Sequence, residues 1–497
     1  MSDAITLGDD ERAFAGYLDS LSGALQHGSR ERPFRDYCTG LLLPDGRKSV
    51  EPMAARLAPS TTRTTHKRLL NFVSDGAWSD EAVLAAMRRE VLPALDARGA
   101  VRRWIVDETG MAKKGAHSVG VARQYCGELG KIENCQVLVS LSVADEVAAL
   151  PVAARLYLPE AWAGDPARRA AAGVPLDVTF QTKPSIALEL IGRALAGGVP
   201  PGMVLADEVY GSTAEFRRGV AGLGLDYALA VRSTTLVSPP CSGRRARLWR
   251  GQEDPLSVRA LAARLPRSAW RWITWREGGG PDLTGRFATA RVDVEHEGER
   301  TLLVEWPVGD SDPVGYWLVT LPRHTPLEAV VAAAKDRWWI EQGYRDLKQE
   351  VGLGDYEGRG WRGFHHHVTL TLAAYGFLVM RRCQTFQPAG GRAGALSFPV
   401  VEDPANPPIR TERHAPFSIP TTRRRLTVGI ARRLPRCPCC QTPAIRQHST
   451  KTTNQQLPIT VWWSSRDKRE CRSQAATDLF PKIFHCCDYY CSIFLYS

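Results

Sequence analysis

Long apolar runs are missing from this chain: no stretch of its 497 residues stays apolar for the roughly 18 positions that a membrane-spanning helix needs. No membrane partner is therefore expected. The opening Met1-Ser-Asp-Ala-Ile-Thr-Leu-Gly-Asp-Asp-Glu11 has no basic segment ahead of an apolar one, which argues against a secretory leader and for a cytoplasmic protein. Cysteine is scarce through the first four hundred residues, where only Cys38, Cys126, Cys135, Cys241 and Cys383 occur. Their scattered spacing speaks against a disulfide framework and suits small buried hydrophobes in a reducing compartment. Acid is in short supply: 53 Asp and Glu stand against 64 Lys and Arg, a formal net charge of +11. That imbalance favours a polyanionic partner. Length, by contrast, is ample for a large core and more than one domain.

Two acids stand where a strand should end. Val101-Arg-Arg-Trp-Ile-Val-Asp107-Glu-Thr-Gly110 reads as a β-branched and aromatic strand closing on an acid and a turn. Gly202-Met-Val-Leu-Ala-Asp207-Glu-Val-Tyr-Gly211 repeats the plan. Ligand chemistry in open α/β sheets gathers at strand carboxyl ends. Glu108 and Glu208 follow the two Asp residues directly, but strand neighbours point to opposite faces, so one of each pair should reach a shared site.

A third acid sits in Arg337-Trp-Trp-Ile-Glu341-Gln-Gly-Tyr344-Arg-Asp-Leu-Lys348. Upstream, Thr325-Pro326-Leu-Glu328 combines a capping box with proline at the first helical position, which predicts one helix running through Glu341. Residues three, four and seven apart then share a face, so Arg337, Glu341, Tyr344 and Lys348 form one polar stripe. Three converging carboxylates suit hard divalent cations such as Mg²⁺, which take oxygen ligands. Two such ions can activate an attacking oxygen and stabilise the leaving oxygen of a phosphodiester.

With these residues in place, the chain resembles the DDE transposases of bacterial insertion sequences, in the group with a Tyr-Arg-Glu-Lys signature around its third acid. Arg337, Glu341 and Lys348 fit the signature's spacing, with three residues between the first two and six between the last two. The signature Tyr falls at Ala334, where this sequence departs; Tyr344 lies one turn after the Glu. Lys113-Lys-Gly-Ala-His117, Arg123-Gln-Tyr-Cys-Gly127, Tyr157-Leu-Pro-Glu-Ala-Trp162 and Trp361-Arg-Gly-Phe-His-His-His367 resemble the insertion-sequence 701-like subgroup. The likeness covers roughly residues 10 to 440. It implies that Asp107, Asp207 and Glu341 are catalytic and hold two Mg²⁺ ions, with Mn²⁺ able to substitute. It further implies that Arg337, Lys348 and Tyr344 contact DNA phosphates. The implied partners are double-stranded DNA, as terminal inverted repeats and as target, and a second copy of the chain in the DNA complex. The implied setting is a bacterial cytoplasm, at the nucleoid when DNA is bound.

The expected fold class is α/β: an RNase H-like mixed sheet with flanking helices, interrupted by a β-rich insertion and preceded by a small helical domain. Residues 1–95 read as a helical DNA-binding region. Phe14, Tyr17, Leu18, Leu21 and Leu25 recur at helical spacing, and Ser49–Ala58 and Thr64–Val73 resemble a helix-turn-helix pair with Arg63, His66, Lys67 and Arg68 near one side. A helix starting at Ser79 should stop near Pro93. Residues 96–232 read as the first part of the catalytic core, with a hairpin over 135–157, a helix opened at Pro184, and strands at Asp207 and Tyr227. Residues 233–324 read as the β-rich insertion, 325–384 as the rest of the core, and 385–497 as a basic C-terminal region with Arg423-Arg-Arg425. Beyond about 445 the composition loses periodicity and reads as disordered.

Seven cysteines crowd that tail. Cys437-Pro-Cys439-Cys440 and His485-Cys486-Cys487-Asp-Tyr-Tyr-Cys491 invite a zinc reading, but the two groups stand far apart and no zinc is expected. His365, His366 and His367 are consecutive on a helix start, so they point three ways and suit polar contacts near DNA phosphates better than one metal. Two further functions remain open from sequence: an inactive remnant acting only as a DNA-binding protein, and a plain RNase H-like nuclease that cuts without joining strands.

Overall fold

The computed structural model describes residues 7–44, 46–97, 103–240, 255–276, 282–385 and 418–436. Cys241, the tail cysteines and the zinc reading built on them lie outside the described residues, as does the stretch read as disordered beyond 445.

Five helices open the chain: α1 (Leu7–Ser22), α2 (Glu31–Leu42), α3 (Val50–Leu57), α4 (Thr62–Ser74) and α5 (Asp80–Asp96). The apolar repeat read in α1 is the buried face, with Phe14, Tyr17, Leu18 and Leu21 all inside. Ser79 caps α5 by accepting from the Ala82 amide, as its position predicts. The helix then runs through Pro93 to Asp96 instead of stopping there. Pro93 removes one amide but fits so near the helix end, and Ala97 still closes a bond on its carbonyl.

The sheet begins with β1 (Arg103–Ala112), β2 (Ala122–Cys126), β3 (Lys131–Ala144) and β4 (Ala149–Leu156). Short helices α6 (Glu160–Ala163) and α7 (Pro166–Ala172) and the longer α8 (Lys183–Ala196) lead to β5 (Met203–Ala206), then α9 (Glu208–Gly211), α10 (Ala214–Gly222) and β6 (Tyr227–Ala230). Side by side the core strands run β4-β3-β1-β5-β6. β3 is antiparallel to both β4 and β1, whereas β1, β5 and β6 are mutually parallel. This mixed sheet with helices on it is the RNase H-like arrangement expected. Pro184 opens α8 as read, and Thr182 caps it, its hydroxyl accepting from the Ser185 amide.

After β6 come β7 (Leu236–Val237), β8 (Leu256–Ser257), α11 (Val258–Ala263), β9 (Arg271–Arg276), β10 (Asp282–Val294), β11 (Gly298–Pro307) and β12 (Gly315–Val319). The segment is β-rich, but β9–β12 form no sheet of their own. β12 pairs antiparallel with β6, and β11, β10 and β9 continue outward from it. Without a partner β6 would be an edge strand with open backbone groups, and β12 closes that edge.

The predicted helix from Thr325 is two helices, α12 (Leu327–Lys335) and α13 (Trp338–Val351). Pro326, not Thr325, is the N-cap, and no side chain caps it, so the capping box does not form. The break falls at Asp336 and Arg337. In a continuous helix these neighbours would diverge by about 100°. Here both reach β1, Asp336 pairing with Arg103 and Arg337 with Asp107, positions that share one face of the strand.

Two helices complete the described chain: α14 (Trp361–Thr385) and α15 (Ile419–Arg433). α14 is buried on all sides from His366 to Val379. It packs against α5, α2 and α4, so the N-terminal helices close around a helix from the far side of the catalytic region. A Cβ on Gly376 would sit 3.1 Å from the Met87 side chain and the Tyr17 hydroxyl, so the bare glycine permits this approach. The three histidines, expected near DNA phosphates, instead direct their ring nitrogens to groups of the fold and serve this packing. His366 stacks on Trp78 at 3.6 Å with its ring nitrogens facing the Val73 and Trp78 carbonyls, to one of which the neutral ring donates. His367 bonds the Tyr37 hydroxyl and the Gly352 carbonyl, and His365 bonds Trp361 O and the Leu156 amide. Burial lowers all three pKa values, to about 4 for His366 and for His367.

Candidate active site

β1 does not close on Asp107 as read but runs on to Ala112, held by its pairing with β3, and its parallel pairing with β5 puts the first two acids side by side. Ile105 stands opposite Leu205, so the same register carried two residues on sets Asp107 beside Asp207, with strands about 4.8 Å apart. Asp207 follows β5 and caps α9, its Oδ1 accepting from the Val209 amide at 2.9 Å. A Cβ on Gly211, the last residue of α9, would meet the Ala230 carbonyl at 1.9 Å. Only glycine lets this turn sit flat on β6 and hold Asp207 at the strand end.

The third acid arrives on α13. Arg337 donates to Asp107 Oδ2 at 2.7 Å and to Glu341 Oε1 at 3.1 Å, so one guanidinium spans two of the three carboxylates. Glu341 is the open member, its side chain 60% exposed, against 13% for Asp107. Burial pushes Asp107 up to about 7, with Asp207 and Glu108 adding to the rise and Arg337 opposing it. Burial also raises Asp207, again with Glu108 contributing and Arg337 opposing. For Arg337 burial disfavours the charge, but Asp107, Glu341 and Asp207 outweigh it and raise its pKa. One cation therefore answers a cluster of acids that remains short of positive charge.

Tyr344 does not present its hydroxyl to phosphate as expected. Only 8% exposed, it donates to the Asp107 carbonyl at 2.9 Å and shares a 2.8 Å bond with Ser140. A buried phenol with its oxygen so engaged positions β1 against α13. Lys348 also turns inward, donating to Gly110 O at 2.7 Å and Glu128 at 2.9 Å. An ammonium carries three donors, and these contacts use two. In this structure the stripe read along α13 thus fastens the acid helix to β1.

Glu108 was passed over from sequence and has a defined place. It accepts from Lys183 Nζ at 2.6 Å and from the Tyr210 hydroxyl at 2.5 Å. Tyr210 lies on α9, three residues after Asp207, so Glu108 couples the two acid-bearing strand ends. The pairing spans 102 positions, and no local spacing announces it. Among the described residues no group of three or more His, Cys, Asp or Glu is drawn together at metal-binding distance, and here Arg337 stands between the acids.

A family model described as DDE superfamily endonuclease matches residues 20–281, more than half of the chain. The chain belongs to the DDE superfamily endonuclease family. A second model, described as transposase DDE domain, matches residues 187–377. The first span contains Asp107 and Asp207, and the second contains Asp207 and Glu341. The chain is also similar to a probable transposase for insertion sequence element IS701 from Microchaete diplosiphon, 26% identical over 305 residues, covering 58% of this chain and 67% of that protein. As a member of the DDE family the protein is an enzyme of the endonuclease and transposase class, and DNA is the substrate that membership implies. Such enzymes generally use divalent metals. Among the described residues no helix is long and apolar enough to cross a membrane.

Proposed function

We propose that this enzyme is the transposase of an insertion element, cutting DNA at the element ends and joining the freed 3′-hydroxyls to target DNA. The observation that carries the reading is the meeting of Asp107, just past the parallel pairing of β1 with β5, with Asp207 at the end of β5 and the Arg337–Glu341 pair. An all-oxygen donor set short of positive charge fits hard divalent cations, and Asp107, Asp207 and Glu341 would hold two Mg²⁺, with Mn²⁺ as substitute. When bound, such ions lower the pKa of water and neutralise charge developing on phosphorus oxygens.

The chain's own residues supply the rest. Arg337, relieved of the carboxylates it now spans, is within reach of a phosphate beside the scissile bond. Lys348 has its remaining donor for the same strand, and both position rather than react. Tyr344 keeps Asp107 at its depth. The same acids can serve cleavage and joining, because both are in-line displacements at phosphorus by an oxygen nucleophile. Arg63 and Lys67, exposed on α4, make residues 1–95 the reader of the terminal repeats. Residues 96–232 and 325–384 form the core, 233–324 the insertion and 385–497 the basic C-terminal region, and two copies act on paired ends.

The test is cleavage and joining of a duplex carrying the repeats that flank the gene. Asp107→Ala, Asp207→Ala and Glu341→Gln should each abolish cleavage in Mg²⁺ while binding the duplex as wild type does. Near-wild-type cleavage by any one of them removes that carboxylate from the site. Cleavage without joined products when target plasmid is supplied would make the enzyme a plain nuclease.

A further inference from the structure

The hairpin formed by β2 and β3 carries apolar side chains that stand exposed among the described residues. Tyr125 and Ile132 face each other across it, and each is 62% exposed. Leu129 at the turn is 44% exposed. Exposed Arg123 lies two residues before Tyr125, and exposed Lys131 adjoins Ile132.

Strand parity says which way this pair looks. Ser140 stands opposite Asp107 and bonds Tyr344 of α13, so Asp107 and Ser140 share the face that α13 covers. Ile132 is eight residues before Ser140 on the same strand, an even number, and the pairing on β3 shows no slip between them. Ile132, and with it Tyr125, therefore lies on the acid-bearing face. The hairpin is also tied to that site. Glu128 in its turn pairs with Lys348, and Asn134 donates to the Lys113 and Gly115 carbonyls, fixing the basic loop after β1. Lys348 follows Glu341 by seven residues, about 10 Å along the helix, which is about three base steps of roughly 3.4 Å.

We propose that the β2–β3 hairpin is a DNA wedge, with Tyr125 and Ile132 against bases within about three steps of the scissile phosphate and Arg123 and Lys131 on the adjoining backbone. An apolar pair flanked by cations, on the acid face of a basic chain, suits nucleic acid: bases offer π-faces and phosphates offer charge. The proposal rests on the transposase reading. It adds a residue set that local unstacking of the DNA would require.

The test uses full-length protein and an element-end duplex with 2-aminopurine placed in turn at each of the positions beside the cleaved phosphate. Wild type should raise the fluorescence at one position within about three steps. Tyr125→Ala should lose that rise and cleave about tenfold more slowly, and Tyr125→Phe should restore both. Because the ring is exposed, the alanine variant should melt as wild type does. Equal signal and rate in wild type and Tyr125→Ala overturn the proposal while the transposase reading stands. Slower cleavage without a fluorescence rise in wild type also overturns it, since the effect would then be structural. So does a change of oligomeric state with the DNA signal intact, which would make this face a contact between two copies. Wild-type protein that neither binds nor cleaves the duplex removes the transposase reading and the wedge with it.

Discussion

At the scale of single residues, the proposed function sets proton and metal in competition for Asp107. Burial holds its pKa near 7, so at lower pH the carboxyl carries a proton that a divalent cation must displace. Apparent Mg²⁺ affinity should therefore rise with pH up to about 7, about tenfold per unit, and level off above. Half-saturating Mg²⁺ in the cleavage assay, taken between about pH 6 and pH 8, measures this; a flat profile would show that Asp107 does not titrate there. Tyr344 calls for a different experiment. Tyr344→Phe keeps the ring but loses the bonds to Asp107 O and Ser140, a cost of about 1–2 kcal/mol. Stability and cleavage should fall while the salt dependence of DNA binding stays as in wild type, because a positioning hydroxyl releases no counterions. A shallower salt slope would restore Tyr344 to the phosphate contacts.

At the scale of elements, legibility followed locality. The strand end at Asp207, the hairpin of β3 and β4, and the Pro184 start of α8 all announce themselves within a few residues and are where the sequence puts them, whereas β1 runs on through Asp107 to Ala112 because β3 stays paired with it that far. The break between α12 and α13 was not legible, because its cause is Arg103, more than two hundred residues away. The burial of Tyr344 and of the three histidines was hidden for the same reason: a polar residue on a helix looks alike whether water or a distant carbonyl receives it. α15 is a further case, since the sequence there shows only the basic cluster Arg423-Arg-Arg425 and predicts no helix. Here Arg423 pairs with Glu350 on α13 at 2.5 Å, Arg425 with Asp10 at 2.9 Å, and Thr427 bonds Leu42 O. These contacts tie α1 and α2 to the acid helix. Ending the chain after residue 436 should leave cleavage intact, whereas ending it before Ile419 should lower the melting temperature and the cleavage rate together. Equal behaviour of the two truncations would reduce α15 to a surface helix.

At the scale of the whole molecule, α14 is the axis on which the helical and catalytic halves meet, and its histidines make that meeting sensitive to acid. With folded pKa values near 4 against about 6.5 in the unfolded chain, His366 and His367 stay neutral where the unfolded state takes up protons. Their contribution is complete above about pH 6.5 and is lost as pH falls toward 4, on the order of 3 kcal/mol each. Asp336 and Asp346, raised to about 6 by burial, work in the opposite direction. Urea denaturation of wild type and His367→Gln at about pH 7 and pH 4.5 should show the variant losing less stability on acidification. Equal losses would mean that His367 is not held neutral. The placement of α14 also sets a timetable. A ribosome that has finished α5 at Asp96 must add 289 more residues (385 − 96) before α14 ends at Thr385, roughly 15–60 s of synthesis at about 5–20 residues per second. Until then the first five helices lack the whole of the helix they close around, while Glu341 joins the chain 44 residues earlier (385 − 341). On the proposed function, a copy terminated before Glu341 would have neither the closed helical region nor the third acid, and it should not compete for element ends.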